Sequence, residues 1–521
     1  MERSLLIFTV CMLAPFAFGG EPRLVHPFEA DGPGVSANAV DALVFPALKK
    51  RGIEPASPCS DEVFVRRVCL DVIGTLPDPV QVNDFLQDRR PDKRAALIDA
   101  LLARDEFADY WSLKWCDLLR VKAEFPINLW PNAVQAYHRW VRDSIRDNKP
   151  YDQFVRELLT SSGSNFRVPP VNFYRAVQGR TPPAIAEAVT LTFMGTRLDS
   201  WPEARRADMA AFFSRIAYKK TGEWKEEIVY LNPAPAGPLE VVFPDDKRTQ
   251  VPADQDPRLF FADWLIRPAN PWFARNIVNR VWSWLLGRGI IHEPDDIRPD
   301  NPAANPELLA RLEKELIESR YDLKHIYRLI LNSRTYQQSS IPRSNHPQAE
   351  ALFAYYPVRR LDAEVLIDAL CRLFESTESY SSPIPEPFTF IPEHQRTITL
   401  ADGSITSQFL EMFGRPARDT GLESERNNRP TDAQRLHMLN SSHVQKKIQN
   451  SQRLRRLISN SRGNRPALIR VLYLNILSRY PTPAELAAAE EYCQTGGLKL
   501  DQAVNDLAWT LINTKEFLYR H

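Results

Sequence analysis

The chain has 521 residues, more than one hydrophobic core usually serves, so two or three domains are expected. Its 66 basic and 65 acidic residues leave a formal net charge of +1, which gives no overall electrostatic drive toward nucleic acid or an anionic membrane. With 42 prolines against 19 glycines, it reads as many helices punctuated by prolines rather than as elements joined by flexible linkers.

Met1–Gly20 has the layout of a secretory signal, assigned to residues 1–19. Arg3 supplies the positive start, Leu5–Ala14 the apolar run and Ala17-Phe18-Gly19 the small-x-small cleavage site. The run is too short to span a membrane easily, and Phe8-Thr9-Val10 lacks the small residues expected before a lipidated Cys11. The expectation is an exported protein of the periplasm, cell envelope or medium, with no transmembrane span after signal removal. Cleavage leaves Cys59, Cys69, Cys116, Cys371 and Cys493, no two at metal-ligand or redox spacing. Cys69, Cys116 and Cys371 sit in apolar helical patterns, as small buried hydrophobes do. At most two disulfides are possible, and the sequence does not choose their pairing.

Residues 20–58 form a proline-rich extension with one helix over Asn38–Lys50. From 59 to 218 the text is helical. Ser60 caps a helix that opens with Asp61 and Glu62, and Asp78-Pro79 starts another. The run Asp92–Arg120 carries Leu97, Leu101, Leu102, Trp111, Leu113, Trp115 and Leu118. Trp130–Asn148, Tyr151–Ser161 and Pro182–Leu198 complete this half, and a short polar connection leads into the apolar Ala210–Ile216. In residues 219–256, Glu227–Leu231 and Leu239–Phe243 are β-type runs, read as a hairpin across NPAPAG, followed by a charged connector, Asp245–Asp256.

The second half, 257–521, is organised around Asn270–Ile291. Asn270 is a good N-cap and Pro271 suits the first helical position. Ile277, Val278, Val281, Trp282, Leu285 and Leu286 share one apolar arc, with Asn276, Asn279, Arg280 and Ser283 opposite, and Gly287 and Gly289 end the helix. Its polar face suits neighbouring backbone or carboxylates. Asn305-Pro306-Glu307 and Asp322 start two more helices, and Asp362–Phe374 is a third. Ser376–Ser407 is a long loop containing Phe388-Thr389-Phe390. Thr482-Pro483-Ala484-Glu485 is a capping box, its helix stopped by Gly496-Gly497, and a last helix spans Leu500 to about Thr514.

Of 9 histidines only His437 and His443 are close, and on one helix they would point to different faces, so no metal pair is read there. No phosphate loop and no Gly-x-Ser-x-Gly elbow occurs. Arg453–Arg470 is interrupted by Leu454, Leu457 and Ile458, as in an amphipathic helix with a solvated basic face, and nucleic acid is not an expected partner.

The segments DEVFVRRVCLDVIGTLPDPVQVNDFLQD, DYWSLKWCDLLR, NPWFARNIVNRVWSWLLGRGII, RRLDAEVLIDAL, FGRPARDT and LSRYPTPAEL carry a further signal. In this order they resemble a secreted planctomycete cytochrome-associated family that pairs two domains of unknown function. The resemblance implies a c-type haem motif between Arg197-Leu198 and Ala210-Ala211-Phe212-Phe213. Here both cysteines and the axial histidine are missing, and the connection is shortened around Asp199, Ser200 and Trp201. It also implies a Cys-x-Cys-Glu-Arg element after Gly-Arg-Pro, where Leu422 and Ser424 stand in place of the thiols. Two losses suggest one dismantled site, with independent drift as the alternative.

The fold expected is mainly α, two helical domains with a small β-hairpin element between them. The function expected is that of a haem-less, exported member of the family, without cofactor or metal, acting through protein or polysaccharide contacts in the cell envelope. The alternative is a redox or polysaccharide-related enzyme with its site in the second domain. The candidate cluster is Asn279, Arg280, Arg415, Glu423, Glu425 and Arg426, with a structural brace as the competing reading. A joint surface of Trp201, the Phe388–Phe390 loop and Glu423–Arg426 is a further expectation.

Overall fold

Local capping signals set most of the helix starts. The Ser60 hydroxyl accepts from the Val63 amide at 3.3 Å, opening Asp61–Ile73. The carboxylate of Asp78 serves Pro79–Gln87 in the same way, Asn305 serves Pro306–Glu318, and Asp322 serves Leu323–Leu331. Thr482 and Glu485 exchange hydrogen bonds as a capping box before Pro483–Gln494. In this computed structural model, residues 24–31, 38–233, 237–494 and 498–521 are described. The signal segment and Gly496-Gly497 lie outside them. About 52% of residues are helical and 6% are in strands, so the chain is mainly α.

The β element differs from the expected hairpin. Glu227–Leu231 pairs antiparallel with Ile216–Lys220, from Ile216 opposite Leu231 to Lys220 opposite Glu227, and takes Gly163–Ser164 on its other edge. Leu239–Val242 pairs instead with Arg248–Val251. Each strand has joined the partner reached by its own tight turn. Pro233 and Pro238 flank the connection between them and have no N–H to give to a ladder.

The expected division into two helical domains is not visible as two cores. One apolar cluster runs from Val40 to Phe517, including Trp111, Trp115, Phe261, Trp282 and Leu366. The Asp61–Ile73 helix is buried from Val63 to Ile73, its arginines included. Arg66 donates to the carbonyls of Ile476 (2.9 Å) and Phe517 (3.1 Å). Arg67 donates to those of Tyr336 (2.7 Å), Gln338 (2.8 Å) and His521 (2.8 Å), with its guanidinium 3.8 Å from the Tyr356 ring centre. Arg359–Arg360 and Tyr519–Arg520 form a short antiparallel pair beside them.

The central helix spans Phe273–Leu286 and ends at Gly287, where φ is +72°. It starts two residues later than expected, with Trp272 rather than Asn270 at the N-cap position, and the Asn270 Oδ1 accepts from the amides of Trp272 (3.0 Å) and Phe273 (3.2 Å) just ahead of it. On its polar face Asn276, Asn279 and Arg280 are buried as well. Asn279 clamps Ile291, donating to its carbonyl at 3.0 Å and accepting from its amide at 2.8 Å. Asn276 donates to the Thr192 carbonyl at 2.9 Å, in a π-helical turn, Thr190–Met194, that follows Pro182–Val189. That turn ends at Gly195 (φ +62°), where a Cβ would lie 2.6 Å from the Asn276 amide oxygen.

Candidate functional site

The expected cluster divides into two buried groups. In the first, Arg280 lies 2.7 Å from Asp295 and 3.5 Å from Glu423, and also donates to the Leu191 carbonyl at 3.3 Å. The Trp284 indole donates to Glu423 at 3.0 Å. Burial raises the Glu423 pKa, against the opposing charge of Arg280. Asn279 belongs to the Ile291 clamp and makes no hydrogen bond to either carboxylate.

In the second group, Arg426 bridges Asp117 at 2.6 Å and Glu364 at 2.7 Å. Arg415 lies 3.6 Å from Glu364 and donates to the Asp402 and Ile405 carbonyls, while Arg418 meets Asp117 at 2.9 Å. Asp362 precedes the Ala363–Phe374 helix but does not cap it with its side chain. Its carboxylate instead receives Lys114 (3.0 Å), Arg520 (3.1 Å), Tyr110 (2.9 Å) and Asn428 (2.7 Å). Burial disfavours its charge, yet Lys114, Arg520 and Arg426 outweigh that and hold it well below the carboxylate range. Burial lowers the Lys114 pKa, and neighbouring Arg426 lowers it further. Glu425 stands apart from this group, accepting from the amides of Asp419 and Thr420.

Most of these side chains are packed against one another rather than around an opening: Arg280 is 1% exposed, Arg415 3%, Arg426 6% and Glu364 0%, while Glu423 is 22% exposed. The arrangement is that of a brace. Lys114, Asp117, Asp362, Glu364 and Arg418 complete it and were not legible in the sequence, where acids and lysines on a helix read as a solvated face. Lys114 and Asp117, set among Leu113, Trp115, Cys116 and Leu118 in the second half of their helix, are the one available hint.

Open space occurs beside Ser200 and Trp201. Ser200 and Trp201 form one wall of a groove of about 880 Å³ whose other walls include Trp272, Arg275 and Asn301. Trp201 and Trp272 have ring centres 6.4 Å apart. Arg205 is held by Asp246 at 2.7 Å and Arg275 by Glu313 at 2.8 Å, so these two lining arginines are ion-paired. Asp199 is exposed and outside the lining. The three segments expected to share a surface have different neighbours. Trp201 packs on Trp272, Phe388 on Trp130, and Glu423 on Trp284. Among the described residues, no hydrogen bond, ion pair or ring contact joins them.

His437 and His443 do not share one helix, and they face each other. The helix breaks at Ser441, whose hydroxyl accepts from the Val444 amide, so His437 lies on Asp432–Asn440 and His443 on Ser442–Gln449. Their facing nitrogens are 3.3 Å apart, and His443 reaches Glu378 at 2.9 Å on its other side. Glu378 and Cys371 line a cleft of about 400 Å³. Burial raises the Cys371 pKa despite Lys447 at 3.4 Å, which does not suit a thiolate nucleophile. All five described cysteines are unpaired. No group of three or more His, Cys, Asp or Glu placed to hold a metal occurs among the described residues.

No curated protein and no solved structure matches the chain. Residues 39–216 match the family model PSCyt2, a protein of unknown function (DUF1549), and residues 257–493 match PSD1, a protein of unknown function (DUF1553). The chain thus carries a PSCyt2 segment followed by a PSD1 segment, with the two small antiparallel sheets of residues 216–251 between their helices.

Proposed function

We propose that the protein is an exported, haem-less relative of the cytochrome-associated proteins it resembles, and that it binds an extended polysaccharide in the Trp201–Trp272 groove. The observation that carries this reading is that the residues standing where a haem motif is expected, Ser200 and Trp201, form a wall of an open groove. Indole faces suit the apolar C–H faces of sugar rings, and the ion-paired arginines and Asn301 offer directed hydrogen bonds at the walls.

Affinity electrophoresis through gels containing xylan, hydroxyethylcellulose or alginate tests it. Retardation by at least one polymer is expected, with loss of about tenfold or more in affinity for Trp201→Ala, the order expected for an aromatic anchor worth ~1.4 kcal/mol or more. Unchanged mobility in all three gels counts against the reading.

A second expectation concerns the haem. Residues 199–208 contain neither cysteine nor histidine, so thioether attachment and axial ligation have no donors there. The purified mature protein should carry no covalent haem. A Soret band surviving acid–acetone extraction is the contrary result.

A further inference from the structure

Five large aromatic side chains are strongly exposed among the described residues, and four of them lie on loops that meet at one place. Phe125 is 77% exposed, Trp224 70%, Phe388 49% and Phe390 73%. Trp130, half-buried, is where the loops converge. Its ring centre is 6.4 Å from that of Trp224, in the turn after the Ile216–Lys220 strand, and 5.3 Å from that of Phe388. Phe125 belongs to the same loop as Trp130, closed by the Trp130 amide donating to the Ala123 carbonyl, and Phe390 follows Phe388 by two residues. Trp130 itself has φ +74° and ψ +146°, a region that side chains other than glycine rarely occupy, so its placement is imposed by the loops around it. Aromatic rings gathered on separate loops and left in water mark a contact surface.

The charge at this surface differs from that of the chain as a whole. The Lys225 ammonium lies 4.8 Å from the Trp130 ring centre and 5.4 Å from that of Trp224. Lys219 and Lys220 are exposed on the strand leading into the same turn. The acids of this hairpin are engaged: Glu226 accepts from Ser164 and Thr221, Glu227 pairs with Arg175 and Arg180, and Glu223 is met by exposed Arg167 at 3.2 Å. Glu386 and Glu393 flank the Phe388–Phe390 tip, which confines the positive charge to the hairpin side.

We propose that Phe125, Trp224, Phe388 and Phe390 form a peripheral membrane-contact face, the rings entering the interfacial layer while Lys219, Lys220 and Lys225 meet anionic headgroups. Trp224 and Phe388 are inclined by 83° and 58° to the plane of Trp130. A cation sits among the rings instead of at their rim, a mixture suited to the membrane interface and unlike the charge-depleted centre of a protein interface. No helix among the described residues is long and apolar enough to cross a membrane, so this contact is superficial. The neutrality of the whole chain does not oppose it, because screening confines the interaction to charges within about 8–10 Å of the headgroups.

Co-sedimentation of the full mature chain with vesicles tests the face. Binding is expected to vesicles of mixed phosphatidylglycerol and phosphatidylethanolamine, weakening with salt, and much less to pure phosphatidylcholine. Trp224→Ser combined with Phe390→Ser should weaken binding by about tenfold or more, since burial of two large rings is lost. Lys219→Glu, Lys220→Glu and Lys225→Glu together should remove the preference for the anionic lipid. All five positions are exposed, so unchanged thermal melting is expected and separates loss of binding from loss of folding. No sedimentation with either vesicle overturns the proposal, as does binding indifferent to these substitutions. Polysaccharide retardation lost in the Trp224→Ser, Phe390→Ser variant would assign the face to glycan and also overturn it. The groove variant Trp201→Ala should sediment like the parent, so the two proposals fail independently.

Discussion

Asp362→Ala is expected to destabilise the protein by about 3–5 kcal/mol, because it strips the common partner from several buried cations. Lys114, Arg520 and, at 3.7 Å, Arg426 all face this carboxylate, and its side chain is 1% exposed. Without it, Lys114 is left beside Arg426 and Arg520 with little to offset their repulsion. The measurement is the urea midpoint at constant slope, which separates a change in stability from a change in the exposed surface. A midpoint equal to that of the parent would show that the brace carries no stability. The pH dependence has a definite sign. The folded pKa of Asp362 is depressed, so its contribution is fully present above the unfolded value of about 3.9 and is lost as pH falls through the folded one. Glu364, also depressed by Arg426 against its burial, behaves alike. The gap between parent and Asp362→Ala should therefore hold from about pH 7 down to about pH 4 and narrow only as pH falls further.

Trp282→Ala should cost about 3–5 kcal/mol by leaving a cavity in the centre of the core. The side chain is fully buried and meets Phe353 edge to face, ring centres 5.0 Å apart. Its indole N–H has no hydrogen-bond partner. Trp282→Phe should accordingly cost much less, since it removes a desolvated donor along with part of the volume. Thermal melting of the two variants checks both statements. A Trp282→Ala variant that melts like the parent removes the central helix from its place in the core.

What the sequence showed was what a few neighbouring residues decide. The caps at Ser60, Asp78, Asn305, Asp322 and Thr482 are local chemistry, and the structure has all of them. The strand-forming runs Glu227–Leu231 and Leu239–Val242 were equally legible, but their pairing was not. The partner strand, IAYKK, ends in two exposed lysines and lacks the apolar alternation that announces a strand. The break at Ser441 was written in Asn440-Ser441-Ser442, a cap signal hidden inside a pattern read as one helix. Arg280, Glu423 and Arg426 stand out in the sequence, whereas Asp117, Asp362 and Glu364 do not. Their partners lie up to 309 positions away, beyond the reach of any periodicity. Trp201 stands out in the sequence only through the resemblance, while Trp272, the ring it packs on, reads as part of a helix start.

The clasp formed by Arg66 and Arg67 bears on how such a gene can change. Both guanidiniums belong to the PSCyt2 segment, and they donate to carbonyls of residues 336, 338, 476, 517 and 521. A fragment ending near residue 256 would leave these cations, and Lys114, without the groups that neutralise or solvate them. The two family segments are thus not interchangeable cassettes. A recombination that replaced one of them would have to import matching acceptors with it, so the pair is constrained to be inherited together.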